Sequence, residues 1–288
     1  MKFGRVLTAM VTPFDHTGEI DYDQTDILIE YLLENGTDGL VIAGTTGESP
    51  TLSVDEKVNL FKHVVKVVNK RVPVIAGTGS NSTAASIQLT EEAEKSGVDA
   101  VMLVAPYYNK PNQRGMYEHF KTIANATSLP VMLYNIPGRS VVKLTADTII
   151  ELSKISNIVS VKESTGDLDQ AAEIIENTSD DFSLYSGDDS MTLPMLSIGA
   201  DGIISVASHI VGNEMQEMVN LYLDGDVKQA AAKHRKLVPV MNALFTSPSP
   251  TPVKAALQMK GIETGSVRLP LLPLTDDERN LLKEKIDM

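Results

Sequence analysis

The sequence predicts an α/β protein that folds as a (β/α)8 TIM barrel with a C-terminal helical appendix. Two observations lead to this prediction: short branched apolar runs recur eight times, and segments of helical length with one apolar face lie between them. Strands that are apolar throughout are typical of a parallel sheet buried on both faces. Eight such units in about 210 residues match a closed barrel in number and size.

The predicted strands span residues 5–11, 39–44, 72–77, 100–106, 130–135, 157–163, 182–187 and 202–208. Between them, residues 21–36 and 53–70 show helical patterns. In the second of these helices, the apolar residues expected on one face are Val54, Val58, Phe61, Val64, Val65 and Val68. Ser53 and Glu56 match a capping box at its start, and Gly36 and Gly97 are expected to end helices.

The same alternation also permits an open doubly wound sheet. We favour the barrel because eight units are present and because no Gly-x-Gly-x-x-Gly motif follows the first strand. After Ser208, helices are predicted over 213–226, 227–245 and 251–261, with a proline-rich turn at 246–252. We therefore expect a catalytic barrel over residues 1–224 and a C-terminal α-helical region packed on it over residues 225–288.

Composition limits the classes of partner and the compartment. The formal net charge is −13, which argues against a nucleic-acid partner because phosphates are bound by clustered lysine and arginine. No stretch approaches the roughly 20 apolar residues of a membrane helix, and the N-terminal segment lacks the features of a signal peptide. Cysteine is absent, which fits a reducing compartment. We expect a cytoplasmic protein that binds neither nucleic acid nor membrane.

Chemistry in such a barrel lies at the carboxyl ends of the strands, where the following loops converge. The polar or charged segments at these ends are GTTGES (44–49), GTGSN (77–81), PYYNKP (106–111), YNIPGRS (134–140), Lys162 and SGDD (186–189). The loops at the opposite ends of the strands have ordinary turn composition. The candidate active site is therefore the first rim.

Lys162 directly follows Ile158, Val159 and Val161, so its amine is expected at the barrel mouth. Most lysines are solvated charges, and a lysine at a strand end can also extend its amine into solvent. Partial burial instead favours the neutral amine, which attacks a ketone to form a Schiff base. Lys110 is a weaker candidate, since no apolar strand precedes it.

Two motifs on the same rim supply groups suited to carboxylates. The loop GTTGES surrounds Thr45 and Thr46 with glycines, and its hydroxyl and N–H groups can hold a small anion, although a plain glycine-rich loop has the same pattern. Tyr134 ends a strand and Arg139 lies in the next loop. In isolation, the two would be interpreted as a core tyrosine and a surface arginine.

Two further pairs have simple structural interpretations. Tyr107 and Tyr108 are compatible with a hydrophobic lid, and Asp188 and Asp189 most simply cap the next helix. The five histidines show no metal-ligand spacing and the carboxylates do not cluster, so no metal site is predicted.

The motifs GTTGES, YYNKP, YNIPGR and VSVKESTGD, in this order and at these strand ends, resemble those of the Schiff-base-forming pyruvate aldolase/lyases. The similarity runs over essentially the full length. NIPGR discriminates best within the family, because its arginine suits a substrate with a second carboxylate. The resemblance implies a lyase without an external cofactor. It would condense pyruvate, as a Schiff base on Lys162, with L-aspartate 4-semialdehyde to give 4-hydroxy-tetrahydrodipicolinate, the first committed step of diaminopimelate and lysine biosynthesis.

The resemblance also implies a role for individual residues. The catalytic set is Lys162, the nucleophile, with the proton-relay residues Tyr134, Thr45 and Tyr108. The substrate-binding set is Thr46, Arg139, Gly187 and Ile204. Both threonines would hold the pyruvate carboxylate, and the arginine would receive the carboxylate of the aldehyde. Tyr108 would come from a neighbouring subunit, which requires at least a dimer, and the family is usually a homotetramer built as a dimer of dimers.

One region departs from the pattern of family members that lysine inhibits. Those members are expected to carry histidines where this chain has Val54 and Lys57, and an acidic residue at Ala85. The degenerate lysine-effector site thus consists of Ser49, Val54, Lys57, Asn81, Ala85 and Tyr107. A lysine ligand would lack a carboxylate partner and would meet the like charge of Lys57. Weak or absent inhibition by lysine is expected.

Two alternative functions stay open. A sister lyase that cleaves N-acetylneuraminate or a 2-keto-3-deoxy sugar acid would use the same lysine, but such relatives usually lack the arginine found at Arg139. The non-enzymatic alternative is a catalytically silent barrel that serves as a binding or regulatory protein. The complete set of catalytic residues argues against it, because a silent descendant is free to lose any of them.

Overall fold

A computed structural model describes residues 3–286 of the chain. Within these residues the sheet consists of eight strands: β1 Val6–Ala9, β2 Gly39–Ile42, β3 Val74–Gly77, β4 Ala100–Val104, β5 Val131–Asn135, β6 Ile158–Glu163, β7 Ser183–Ser186 and β8 Gly202–Ser205. Each strand lies inside its predicted range and is shorter than that range. The residues that the prediction added at the ends belong to the loops, except Ser208, which begins α9.

The α-helices of the described chain are α1 Tyr22–Glu34, α2 Val54–Val68, α3 Thr83–Lys95, α4 Gln113–Ala124, α5 Pro137–Ser140, α6 Ala146–Ser153, α7 Leu168–Asn177, α8 Thr192–Ser197, α9 Ser208–Leu223, α10 Val227–Ala243, α11 Thr251–Met259 and α12 Asp276–Ile286. The predicted capping box is confirmed: Ser53 Oγ accepts from the Glu56 N–H, and Glu56 accepts from the Ser53 N–H. Gly36 and Gly97 follow the ends of α1 and α3 with φ of +85° and +83°.

The strands close into a barrel, as predicted. Each strand pairs in parallel with the next one in the chain, and β8 pairs with β1. The open doubly wound sheet is excluded by this closure. All the carboxyl ends of the strands therefore lie on one rim, because the strands are parallel.

The apolar core has two parts, one inside the barrel and one between the barrel and its helices. The interior cluster includes Leu7, Val41, Ile75, Met102, Met132, Tyr134, Tyr185 and Ile204. The outer cluster contains residues of both strands and helices, among them Leu40, Phe61, Phe120 and Leu133. The expected apolar face of α2 is wrong at its first residue, since Val54 is 50% exposed. This valine lies in the first turn of α2, beside a cavity at the rim.

The C-terminal region is helical, and α9, α10 and α11 correspond to the three predicted segments, although each ends two or three residues earlier than predicted and α9 begins five residues earlier. Helix α12, in which Leu282 is buried, was not predicted from the sequence. The predicted domain boundary at residue 224 falls in the turn between α9 and α10, but the division into two domains stays a prediction. Residues 1–2 and 287–288, at the outer ends of that division, lie outside the described residues. No helix within residues 3–286 is long and apolar enough to cross a membrane.

Candidate active site

Lys162 faces Tyr134 because the pairing of β5 with β6 contains an irregularity. The register shifts by one residue between Val131 and Met132, so one residue of β6 is left without a counterpart. Tyr134 and Lys162 become partners on neighbouring strands as a result. Because side chains alternate across a strand, an uninterrupted register would have paired Tyr134 with Val161 instead.

The amine of Lys162 lies inside the barrel mouth. The residue is only 5% exposed, and its Nζ lies 4.4 Å from the centroid of the Tyr134 ring. Lys162 therefore does not extend into solvent, which was the alternative left open by the sequence. A cation above an aromatic face is attracted by the π electrons. The phenol and the amine are thus held next to each other.

Gly187, directly after β7, leaves the space that the Lys162 side chain fills. A Cβ at this position would lie 2.9 Å from Lys162 Cε and 1.8 Å from Ser164 Oγ. The Gly187 N–H donates to the Glu163 carbonyl at 2.8 Å, which holds β7 against β6 at this level. A side chain at Gly187 would therefore collide with the lysine that it faces.

Thr45 and Thr46 lie in a tight turn, here called the threonine loop (residues 44–49). The Ser49 N–H donates to the Gly44 carbonyl at 3.2 Å, and the Glu48 N–H donates to the Thr45 carbonyl at 3.1 Å. Thr46 is 5% exposed, whereas Thr45 is half-buried. The two threonines of the loop therefore differ in exposure, and Thr45 is the one that lines the cavity described next.

A cavity of about 370 Å³ opens at this rim. Its wall includes the predicted site residues Thr45, Tyr134 and Arg139. The same cavity is lined by five residues of the degenerate effector set: Ser49, Val54, Lys57, Ala85 and Tyr107. Thr45, Tyr134 and Arg139 thus share one cavity with these five effector residues, whereas Lys162, Thr46 and Gly187 are not part of its wall.

Other predicted residues are not part of the cavity wall. Ile204 belongs to the barrel interior, in the same apolar cluster as Tyr134. Asn81 lies outside the wall, where its carbonyl accepts from Asn109 Nδ2 at 2.9 Å. Tyr108 is 87% exposed with φ of +72°, so it does not reach the cavity of its own chain.

Two basic side chains, Lys57 and Arg139, line the cavity. Burial lowers the pKa of Lys57, and the neighbouring Glu56 carboxylate opposes that shift only partly. Arg139 is exposed at the mouth. A carboxylate ligand is therefore better matched to this cavity than a cationic one.

Glu163, which lies behind the site, was not among the residues predicted from the sequence. Its carboxylate is 1% exposed and accepts from Asn135 Nδ2 at 3.0 Å, Gln170 Nε2 at 3.2 Å and the Thr165 N–H at 2.8 Å. Burial raises the pKa of Glu163, and these hydrogen bonds oppose the shift. Glu163 and Asn135 each follow one of the paired residues Lys162 and Tyr134, so their bond ties the two strands at the site.

The prediction that both aspartates after β7 are caps is wrong for Asp189. Asp188 does accept from the Ser190 N–H, at 3.1 Å. Asp189 is instead 2% exposed and accepts from Ser205 Oγ and from two N–H groups that follow β8. Burial raises its pKa. The distant partners are the reason that the local pattern gave no sign of this role.

Comparisons with known proteins decide which family has this geometry. The sequence profile of the dihydrodipicolinate synthetase family matches residues 2–288. The chain belongs to that family. Among the described residues, no group of three or more His, Asp or Glu side chains is placed to hold a metal ion.

Relatives within the dihydrodipicolinate synthetase family match this chain along its whole length. The 4-hydroxy-tetrahydrodipicolinate synthase 2 of Halalkalibacterium halodurans is 63% identical, covering 100% of this chain and 98% of the relative. The 4-hydroxy-tetrahydrodipicolinate synthase of Bacillus subtilis is 60% identical, covering 99% of each chain. The crystal structure of a dihydrodipicolinate synthase from Bacillus anthracis superposes with a TM-score of 0.99 at 60% identity, covering 100% of this chain and 98% of that one.

Proposed function

We propose that this chain condenses pyruvate with L-aspartate 4-semialdehyde through an imine on Lys162, to give 4-hydroxy-tetrahydrodipicolinate. The observation that carries the proposal is the amine of Lys162, 5% exposed and 4.4 Å from the Tyr134 ring, in a chain of this family. The product belongs to the diaminopimelate and lysine pathway. The imine itself is the electron sink, so the reaction requires no external cofactor.

The chemistry begins with the attack of the Lys162 amine on the keto carbon of pyruvate, and loss of water gives the imine. Loss of a proton from the pyruvate methyl group gives an enamine. Its carbon attacks the aldehyde carbon of the second substrate, whose oxygen takes up a proton. The amino group of that substrate then attacks the imine carbon, which closes the ring and releases Lys162.

The residues around Lys162 bind the carboxylates and move the protons of these steps. Tyr134 and Thr45 line the cavity and relay protons. Thr45 and Thr46 together bind the pyruvate carboxylate. Arg139, at the open mouth, binds the carboxylate of the aldehyde through its planar cation. Gly187 and Ile204 shape the pyruvate pocket.

Trapping with borohydride tests the nucleophile. Pyruvate followed by borohydride should add one reduced adduct to the chain, detected by mass spectrometry, and Lys162→Ala should abolish it. Lys110→Ala is the control, because Lys110 lies in a loop of the same rim and is exposed. A Lys162→Ala protein that keeps full activity would refute the mechanism. Assay with N-acetylneuraminate in place of the two substrates separates this function from sugar-acid cleavage.

The proposed relay requires a second subunit, so we expect at least a dimer and, as in the family generally, a homotetramer. Support comes from Tyr108, which is 87% exposed and lies outside the cavity of its own chain. Co-assembly of Tyr108→Phe with Lys162→Ala chains tests this directly. A mixed dimer recovers one complete site, so activity should return above that of either variant alone. Mixed assemblies without recovery would contradict donation of Tyr108 in trans.

Lysine should inhibit this chain weakly or not at all. At the degenerate effector site, Lys57 opposes an incoming ammonium group, Ala85 offers it no carboxylate, and Val54 is 50% exposed and apolar. A lysine titration of the condensation rate checks this expectation. Inhibition in the sub-millimolar range would contradict it. The cytoplasmic location stays a prediction, supported by the absence of cysteine.

A further inference from the structure

A buried ion pair joins the C-terminal helices to the threonine loop. Lys254 on α11 places its Nζ 2.8 Å from Glu48 Oε1, and the two side chains are 3% and 1% exposed. Glu48 is the fifth residue of the loop that carries Thr45 and Thr46. The two partners come from regions more than 200 residues apart, and the sequence analysis assigned neither of them a role.

Both members of this pair have their remaining bonds supplied by the same C-terminal segment. Lys254 Nζ also donates to the Ser266 carbonyl at 2.9 Å and lies 4.2 Å from the centroid of the Phe14 ring. Glu48 Oε2 accepts from the Arg268 N–H at 2.9 Å. A buried charge is tolerated only when it is paired and hydrogen-bonded, so each of these contacts is needed to keep Glu48 where it is.

Arg268 fixes the chain that follows the threonine loop. Its Nη1 donates to the Thr51 carbonyl at 2.9 Å, and its Nη2 pairs with Glu56 at 2.5 Å. The guanidinium also lies 4.3 Å from the centroid of the Phe14 ring, on which Lys254 lies too. The C-terminal segment therefore clamps the chain at both residue 48 and residue 56.

The backbone of Glu48 requires such a clamp. Its φ is +57°, in the left-handed region, which is sterically unfavourable for residues that carry a Cβ. Such a conformation persists only where the surrounding contacts determine it. Because the Glu48 N–H is bonded to the Thr45 carbonyl, relaxation of Glu48 would move the threonines.

We propose that Lys254, acting through Glu48, is a positioning residue for the two threonines that bind the keto-acid carboxylate. This inference rests on the proposed function. Loss of the charge on Lys254 leaves the Glu48 carboxylate buried beside fewer partners, and the loop shifts towards a more relaxed backbone. The aldehyde carboxylate is bound by Arg139 on a different loop, so only the keto acid should bind less well.

The pH dependence separates positioning from simple stabilisation. Burial lowers the pKa of Lys254 to about 8 from 10.5; Arg268 adds to the shift and Glu48 opposes it. Above pH about 8 the ion pair is lost, so pyruvate binding should weaken. Across the same interval, from about 8 to 10.5, the unfolded chain holds more protons than the folded chain, so the contribution of Lys254 to stability rises. Binding and stability thus change in opposite directions.

The experiment measures borohydride trapping as a function of pyruvate concentration, and the KM for the aldehyde in the steady state. Lys254→Met, similar in length and uncharged, should raise the half-saturating pyruvate concentration about tenfold, since a misplacement below 1 Å has effects of this order. The KM for the aldehyde should stay within about twofold. Lys254→Arg retains a positive charge at every pH tested, so its half-saturating pyruvate concentration should lie between those of the wild type and Lys254→Met. Lys70→Met is the control: Lys70 is 69% exposed and pairs with Asp99 near the other rim, so neither value should change.

The outcomes are distinguishable. If Lys254→Met does not fold, Glu48→Gln weakens the same pair at constant shape and gives the same comparison. A folded variant with unchanged pyruvate half-saturation, or one in which both substrates are affected equally, overturns the positioning role alone. A wild-type chain that pyruvate and borohydride do not modify contradicts the proposed function, and this inference with it.

Discussion

The substitution Gly187→Ala adds one carbon atom next to the side chain of Lys162, whose amine we expect to be the nucleophile. The new Cβ would lie 1.8 Å from Ser164 Oγ, 2.9 Å from Lys162 Cε and 3.1 Å from Lys162 Cγ, whereas ordinary contacts begin near 3.4 Å. Both side chains must therefore move. The backbone of Gly187 does not have a positive φ, so the perturbation is one of space alone.

The structure indicates a small effect on stability and a large effect on rate. Among the described residues, Ser164 Oγ has no hydrogen-bond partner, so its rotation breaks no bond. The end of the lysine is flexible, and we expect a loss of only about 1 kcal/mol in the free energy of unfolding, at the lower end for overpacking. Displacement of Cε by several tenths of an ångström moves the attached amine, which should lower turnover about 10- to 100-fold.

The assay pairs steady-state turnover with urea unfolding of the same protein. Gly115→Ala is the control, because its Cβ would lie at ordinary distances of 3.4 Å from Pro111 Cβ and 3.5 Å from Asn112 Oδ1, in the first turn of α4. It should raise stability by about 0.5 kcal/mol and leave turnover unchanged. If Gly187→Ala keeps the turnover of the wild type, Lys162 is not the reacting group. The same conclusion holds if turnover falls only in proportion to the fraction of protein that is folded.

The remaining predictions concern the proton relay, the aldehyde and the C-terminal clamp. Tyr108→Phe should lower turnover about 100-fold at an unchanged urea midpoint, because it removes one hydroxyl from the relay and keeps the ring; unchanged turnover would contradict the relay. Arg139→Ala should raise the KM for the aldehyde while pyruvate trapping stays intact, and loss of trapping would refute this division. Arg268, with a smaller contribution from Ser53, lowers the pKa of Glu56 from 4.5 to about 2, so this stabilisation is complete above pH 4.5 and is lost as the pH falls towards 2. The free energy of unfolding of Arg268→Met should therefore fall less steeply than that of the wild type between pH 4.5 and about 2. Urea unfolding at several pH values measures both slopes, and equal slopes would show that the pair contributes little.

The strands and the rim could be predicted because their signals are local. An apolar run such as Val131–Leu133 is typical of a buried strand in a parallel sheet, and the residue after it then falls at the carboxyl end. Tyr134, Lys162 and Thr45 were assigned to one rim by this argument. The strand order of the barrel follows from the same right-handed repetition of strand and helix.

The register that brings Lys162 opposite Tyr134 could not be predicted. It depends on the shift between Val131 and Met132, and nothing in the local sequence of β6 marks the residue that is left unpaired. Pairing is set by contacts with the neighbouring strand, which a single segment does not contain. The exposure of Val54 has the same origin, since the periodicity of α2 does not show where its first turn leaves the core.

The sequence by itself determined the alternation of strands and helices, the capping of α2 and the rim on which the amine, phenol and threonines meet. These depend on the spacing of residues within about ten positions along the chain. Only the tertiary structure decided the partners of Glu163, the burial of Asp189 and the pairing of Glu48 with Lys254. Each of those is a buried charge whose stability depends on groups that are distant in the chain, and the free energy of burying a charge is fixed by its surroundings rather than by its neighbours in sequence.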